Sequence, residues 1–207
     1  MRSKVSKQIT YNKVFTHDGK SWLVNTNKDK QQGIYIEPMH RAIDQLEICQ
    51  NKWKRVFVFM FNLSHKGINR PDSKWITRFR KNLNRKLERE YGMSETGYIW
   101  VREKEKAKGQ HYHFAIYLDG NKINSYHKLK VMIDKTWQRI SDSKATRVRN
   151  PFYDIRGDDI KQKAIYRISY LCKVRGKGYR NPQAKDYSTS RFIKRTRLPS
   201  KTNRILK

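Results

Sequence analysis

Two alternating runs, YIWVRE (98–103) and HYHFAIYLDG (111–120), are separated only by a short stretch containing AKGQ. Nothing else in the chain constrains its fold as tightly. Period-two patterning sends successive side chains to opposite faces of a strand, and a short connection forces the two strands to pair antiparallel. The chain must therefore build an antiparallel sheet around this hairpin. His111 and His113 project together from the second strand, with Tyr112 going to the opposite side. The first strand brings Glu103 and Glu105 across from them. Both glutamates have the required parity in a symmetric hairpin, and Glu103 is preferred because it closes the strand.

The flanking sequence supplies the elements that such a sheet needs. KRVFVFMFNLS, from Lys54, is short, β-branched and aromatic, and reads as a buried strand. PDSKWITRFRKNLNRKLEREYG starts with Pro71 and Asp72 and ends at Gly92. It spaces Trp75, Phe79, Leu83 and Leu87 four apart, which predicts a helix. Its outer face, with Arg78, Arg85 and Arg89, is basic. SYHKLKVMIDKTWQRIS reads as a helix with Leu129, Met132 or Ile133, and Trp137 inward, and ATRVRNPFYDIRG reads as extended. DDIKQKAIYRISYLCKVRG begins with acids and ends in Lys, Arg and Gly, as a helix aligned with its macrodipole does.

The resulting order is strand, helix, strand, strand, helix, strand, helix. It predicts an α+β fold of ferredoxin-like, split β-α-β type, an antiparallel sheet with helices on one face. Upstream, two β-prone runs flank Asp18-Gly19, a hairpin signal. EPMHRAIDQLEICQNK then sets Met39, Ile43, Leu46 and Cys49 near one helical face. Three regions are expected: an N-terminal hairpin and helix extension at 1–53, the main domain at 54–174 and a basic C-terminal tail at 175–207. Trp53, Trp75, Trp100 and Trp137 are expected in the core. His17, His40, His65 and His127 read as isolated structural or surface residues, and Asn62 has no assigned role.

Charge narrows the function. The 207 residues carry 48 Lys+Arg against 18 Asp+Glu, a net +30, and the segment from Arg175 holds eleven Lys+Arg against Asp186 alone. Such an excess repels itself in the compact state unless a polyanion neutralises it, and nucleic acid is the leading candidate. No segment approaches the ~20 apolar residues of a spanning helix. Cys49 and Cys172 are the only cysteines, too few for a disulfide framework or a thiolate zinc site. The N-terminus MRSKVSKQIT has no apolar stretch behind it, so a cytoplasmic location is expected.

Two histidines and one carboxylate leave open coordination positions, an arrangement suited to Mg²⁺ or Mn²⁺ bound to a phosphate oxygen. The bland alternative is two histidines on a wet strand face. Downstream, AIYRISYLCK places Tyr166 and Tyr170 four apart with Lys173 three further on, on one helical face. Half-buried packing tyrosines are the plain reading. Beside a cation, a phenol becomes a usable nucleophile, and Lys173 is placed to ease development of its negative charge.

YIWVRE, GQHYHFAIYL and YRISYLCK, in that order, resemble the motifs of the HUH endonucleases that initiate rolling-circle replication. The resemblance is nearest to the inovirus-type, YagK/YfjJ-like replication proteins of filamentous phages and prophages. It spans Tyr98 to Lys173, with weaker agreement in element order back to about Lys54. It implies a metal-dependent enzyme of the host cytoplasm that nicks single-stranded or hairpin origin DNA and works with host replication machinery. His111, His113 and Glu103 (or Glu105) would hold the metal. Tyr170, or else Tyr166, would be linked to the 5′-phosphate with Lys173 assisting. A tyrosine downstream of the histidines favours replication initiators over conjugative relaxases, with a relaxase or transposase of the same chemistry as an alternative. A non-catalytic nucleic-acid-binding protein is the competing class.

Overall fold

Alternation along three long strands creates two different apolar faces, and each is covered by its own pair of helices. The structure, a computed structural model, describes residues 8–30, 32–65, 73–105, 108–123, 125–146, 148–174 and 186–192. The N-terminal elements are β1 (Ile9–Thr10), β2 (Val14–His17), β3 (Lys20–Leu23), β4 (Ile34–Tyr35) and α1 (Ile36–Trp53). The central elements are β5 (Val56–Ser64), α2 (Lys74–Tyr91), β6 (Gly97–Glu105), β7 (Lys108–Asp119) and α3 (Tyr126–Ser141). The last are β8 (Ala145–Thr146), β9 (Phe152–Ile155), α4 (Asp158–Ser169), a 3₁₀ turn (Tyr170–Cys172) and β10 (Tyr187–Thr189).

The main sheet is antiparallel with order β10-β6-β7-β5-β8, and β9 also pairs with β5. The connection through α2 therefore passes over β7, and the one through α3 passes over β5. The expected α+β class and the order of its elements are as the sequence pattern implies.

Helix placement differs from expectation. Phe57, Phe59, Phe61, Trp100, Tyr112 and Phe114 meet Phe79, Leu83, Ile133 and Trp137 of α2 and α3 on one face. Val56, Val58, Met60, Ile99, Val101, Ala115 and Tyr117 meet Met39, Leu46, Ile165 and Ile168 of α1 and α4 on the other. The helices thus cover both faces, because the central strands are apolar at nearly every position and neither side can be left to water. Each fully buried large side chain contributes roughly 1.5–3 kcal/mol of transfer free energy. The four tryptophans assigned to packing are in these clusters, with Trp100 and Trp137 fully buried.

The N-terminal segment, expected as an extension, shares this core. Gly97 lets α1 lie close to β6, since a Cβ there would come within 2.6 Å of Cys49 Sγ and 2.9 Å of the Tyr117 ring. The β2–β3 hairpin turns at Asp18 and Gly19, both at positive φ, as the Asp-Gly pair predicts. His17 and His40 are not isolated, with Nδ1 atoms 2.6 Å apart, and His17 Nε2 is 3.0 Å from Asp44. The expected tail also contributes, because Tyr187–Thr189 pair with β6, and the Gln45 carboxamide oxygen accepts from Ser190 Oγ at 2.6 Å. The rest of the basic tail, and Pro71 and Asp72, lie outside the described residues.

At the opposite edge β9 is clamped to β5. Arg55 donates from Nε and Nη2 to the two Asp154 oxygens at 2.8 Å each, and Arg156 Nε adds a bond at 3.0 Å. This fixes the strand that leads into α4. The Arg55 bonds above all, with those of Arg156, hold the Asp154 carboxyl below its ordinary value against the opposing effect of burial. That stabilisation is full above the unfolded value of about 3.9 and is lost as pH falls through the lower folded-state value. Asp154→Asn is expected to cost about 1–2 kcal/mol in urea unfolding at neutral pH. The difference from wild type should shrink below about pH 4. A difference that stays constant into strong acid would show that the clamp is not ionic.

Candidate active site

The α1/α4 face of the sheet is apolar until the end where β5 and β6 finish and β7 begins. There polar side chains replace the apolar ones at the same parity, among them Asn62, Glu103, His111 and His113. Register dictates the grouping. Glu103 pairs with His111 across β6–β7, and His113 pairs with Asn62 across β5–β7.

The side chains converge as that register requires. His113 Nε2 is 2.8 Å and His111 Nε2 3.3 Å from the same oxygen of Glu103. Ligand-type atoms of the three residues lie within 4.8 Å of one another. His113 Nδ1 is 2.7 Å from Asn62 Oδ1. An amide oxygen can only accept, so Nδ1 carries the proton and Nε2 is the nitrogen turned toward Glu103. Glu103 and His113 are both buried, so water has little access to either. Two ring nitrogens aimed at one carboxylate oxygen call for positive charge between them, either as protons or as a cation. A second-layer acceptor that fixes the tautomer of a histidine is the usual companion of a metal ligand.

Glu103 is therefore the carboxylate that the structure brings to the histidines. The strand pairing shifts register between Glu103 and Glu105, with Glu105 opposite Lys108. The symmetric hairpin that gave both glutamates one parity is thus interrupted. The Glu105 side chain itself lies outside the described residues.

Tyr170 reaches the cluster because α4 stops one residue before it. Leu171 and Cys172, in the 3₁₀ turn, are buried in the α1/α4 core. Their burial leaves the Tyr170 ring at the surface, 38% exposed, edge-on to His113 with centroids 5.9 Å apart. Tyr166, on the preceding turn, is 45% exposed. Among the described residues no ring or polar contact joins it to the cluster.

Lys173 has left the helix with extended ψ and forms an isolated bridge with Ile34. Its Nζ donates to Gln32 Oε1 at 3.1 Å and lies 5.1 Å from the centroid of the Tyr170 ring. The two tyrosines and the lysine therefore do not share one continuous helical face, but Tyr170 and Lys173 do meet. A cleft of about 290 Å³ opens between Tyr170 and the sheet, lined by Asn62, His113, Arg149, Arg167 and Tyr170 among others. The Arg167 guanidinium is 5.5 Å from the Tyr170 ring centroid, and its Nε is buried without an acceptor.

Sequence reasoning missed Asn62, Arg149 and Arg167. A single polar residue inside FMFNLS was the available signal for Asn62, and Arg167 stands three residues before Tyr170 at helical spacing. A second group, His17, Asp18 and Glu47, also gathers ligand-type atoms. There, however, His17 is engaged by His40 and Asp44, and Glu47 by Lys161 at 3.3 Å and Lys20 at 3.6 Å. The lysines already supply the positive charge.

The fold and site define an α+β domain with a two-histidine, one-carboxylate cluster beside an exposed tyrosine. The chain belongs to the family described as the YagK/YfjJ C-terminal domain, whose model matches residues 17–187. That span includes α1, the whole cluster and Tyr170, and ends at the first residue of β10. No curated protein and no solved structure gives a match. Among the described residues no helix is long and apolar enough to cross a membrane.

As a seat for Mn²⁺, the cluster is expected to bind about 10- to 100-fold more weakly in Asn62→Leu, measured by titration calorimetry. Unchanged affinity would remove Asn62 from the site.

Proposed function

We propose that this protein is a nicking-joining DNA endonuclease of the HUH superfamily, of the inovirus type that initiates rolling-circle replication. The observation that carries the reading is the edge-on approach of the exposed Tyr170 ring to His113 within the Glu103–His111–His113 cluster. The net charge of +30 supports a nucleic-acid substrate. Single-stranded or hairpin origin DNA is the form that this class cuts.

The donor set fits Mg²⁺ or Mn²⁺, since two neutral imidazoles and one carboxylate leave positions for phosphate oxygen and water. When bound, the ion neutralises charge on a non-bridging phosphate oxygen. Glu103, His111 and His113 would hold it, and Asn62 keeps His113 in the tautomer that presents Nε2.

Tyr170 Oη attacks phosphorus, forming a tyrosyl phosphate ester as the bond from phosphorus to the 3′-oxygen breaks. The 3′-oxygen departs as a free hydroxyl, so the proton lost by the phenol is balanced by the one gained there. Lys173, over the ring, lowers the cost of negative charge on the phenol oxygen, and Arg149 and Arg167 bracket the cleft through which the strand enters. Because the ester conserves the phosphodiester bond, a later 3′-hydroxyl can reverse the step and join the strand. Tyr166 is the less well placed of the two tyrosines.

The test is covalent capture. Full-length protein with Mn²⁺ and labelled single-stranded origin DNA is expected to give an adduct that survives denaturing electrophoresis. Tyr170→Phe should abolish it, at least a 100-fold loss, while Tyr166→Phe retains most of it. An adduct that persists in Tyr170→Phe would overturn the assignment. No adduct under any condition would favour a non-catalytic DNA-binding protein.

A further inference from the structure

The opposite face of the sheet carries a larger polar cleft, of about 720 Å³, between α2 and the β10–β6 edge. Thr77, Arg80 and Asn84 of α2 line one wall, Tyr98 and Trp100 of β6 form the floor, and Arg191 stands on the rim. Its volume falls within the roughly 300–1,000 Å³ typical of ligand-binding clefts.

Arg80 defines its chemistry. The guanidinium lies over the Tyr98 ring, 3.7 Å from the centroid, and Nε is buried with no acceptor. Among the described residues Arg80 makes no hydrogen bond or ion pair. Burial above all works against its protonated form, Tyr98 opposes that effect and the nearby Arg191 charge adds to it, yet a guanidinium does not give up its proton in a protein. The single carboxylate in the lining, Glu95, is ion-paired with Lys52. A half-buried cation whose Nε faces no acceptor is costly in the free protein, and an incoming anion would relieve that cost. Thr77, Asn84 and the serines of the lining add hydroxyl and amide groups around it.

We propose that this cleft is a phosphate-binding site for a second segment of the nucleic-acid strand, with Arg80 and Arg191 gripping one backbone phosphodiester. It rests on the nucleic-acid-binding part of the reading above and not on the nicking step. The cleft lies on the α2/α3 face, whereas the histidine cluster lies on the α1/α4 face. It would hold the substrate away from the reacting bond and supply affinity without chemistry.

The test uses the full chain in a Tyr170→Phe background, so that the strand stays intact. Affinity for a mixed-sequence single-stranded oligonucleotide is measured against salt. Arg80→Met should make the slope of log K against log salt shallower by about 0.7, the value of one single-strand phosphate. Its thermal midpoint should equal or exceed that of the parent, because a half-buried charge with an unpartnered Nε is removed while cover over Tyr98 is kept. An unchanged slope overturns the proposal, as does a lowered midpoint with full affinity, which would mark Arg80 as a packing residue.

Should Arg80→Met not fold, phenylglyoxal modification of Arg80 in the parent protein, read by peptide mass spectrometry, replaces it. The oligonucleotide should protect Arg80, and equal modification with and without it overturns the site. Protection by dAMP or inorganic phosphate as strong as that by the oligonucleotide at equal phosphate concentration would identify a free-anion site and overturn the strand assignment. A missing tyrosine adduct leaves these readouts untouched, and their failure leaves the adduct untouched.

Discussion

Pairing of β6 with β7 sets Glu103 opposite His111, and pairing of β7 with β5 sets His113 opposite Asn62. A slip of one residue would turn every one of these side chains to the α2/α3 face and bring Arg102 and Tyr112 round in their place. Register is therefore the constraint on which the site depends. It is pinned by the buried apolar pairs further along the same strands, Phe61 with Phe114 and Val58 with Tyr117, which tolerate no such exchange. The polar cluster is the place where that apolar ladder ends.

Helix packing on the α1/α4 face then determines which tyrosine meets the cluster. The Arg55–Asp154–Arg156 clamp holds β9, β9 leads into α4, and burial of Leu171 and Cys172 ends the helix where Tyr170 is left facing His113. The approach of α1 over Gly97 closes the same core from the other end. In the proposed mechanism the cation seat belongs to the sheet and the nucleophile to a helix terminus, and one hydrophobic cluster joins them.

Much of this was legible in the sequence because it rests on periodicity. The hairpin, the pairing of His111 with His113 on one face and the element order all follow from two-residue and 3.6-residue patterns. The number of faces covered was not legible, since an apolar run such as FVFMF specifies burial on both sides without saying which helices provide it. Asn62 was passed over for a related reason: its role depends on the β5–β7 register, a long-range pairing that no local pattern prints. The assignment of Glu103 required the register shift before Glu105. The separation of Tyr170 from Tyr166 required the helix end, which YRISYLCK does not mark with a glycine or proline. His17 and His40, 23 positions apart, meet only through the docking of a hairpin on α1.

The proposed mechanism depends most directly on a cation seated between the two histidines. Pulsed electron paramagnetic resonance of Mn²⁺ added to the full chain reads directly bound nitrogen. Couplings from two imidazoles are predicted, falling to one in His111→Ala and in His113→Ala alike. Mn²⁺ without nitrogen coupling, or couplings unchanged in both variants, would contradict it.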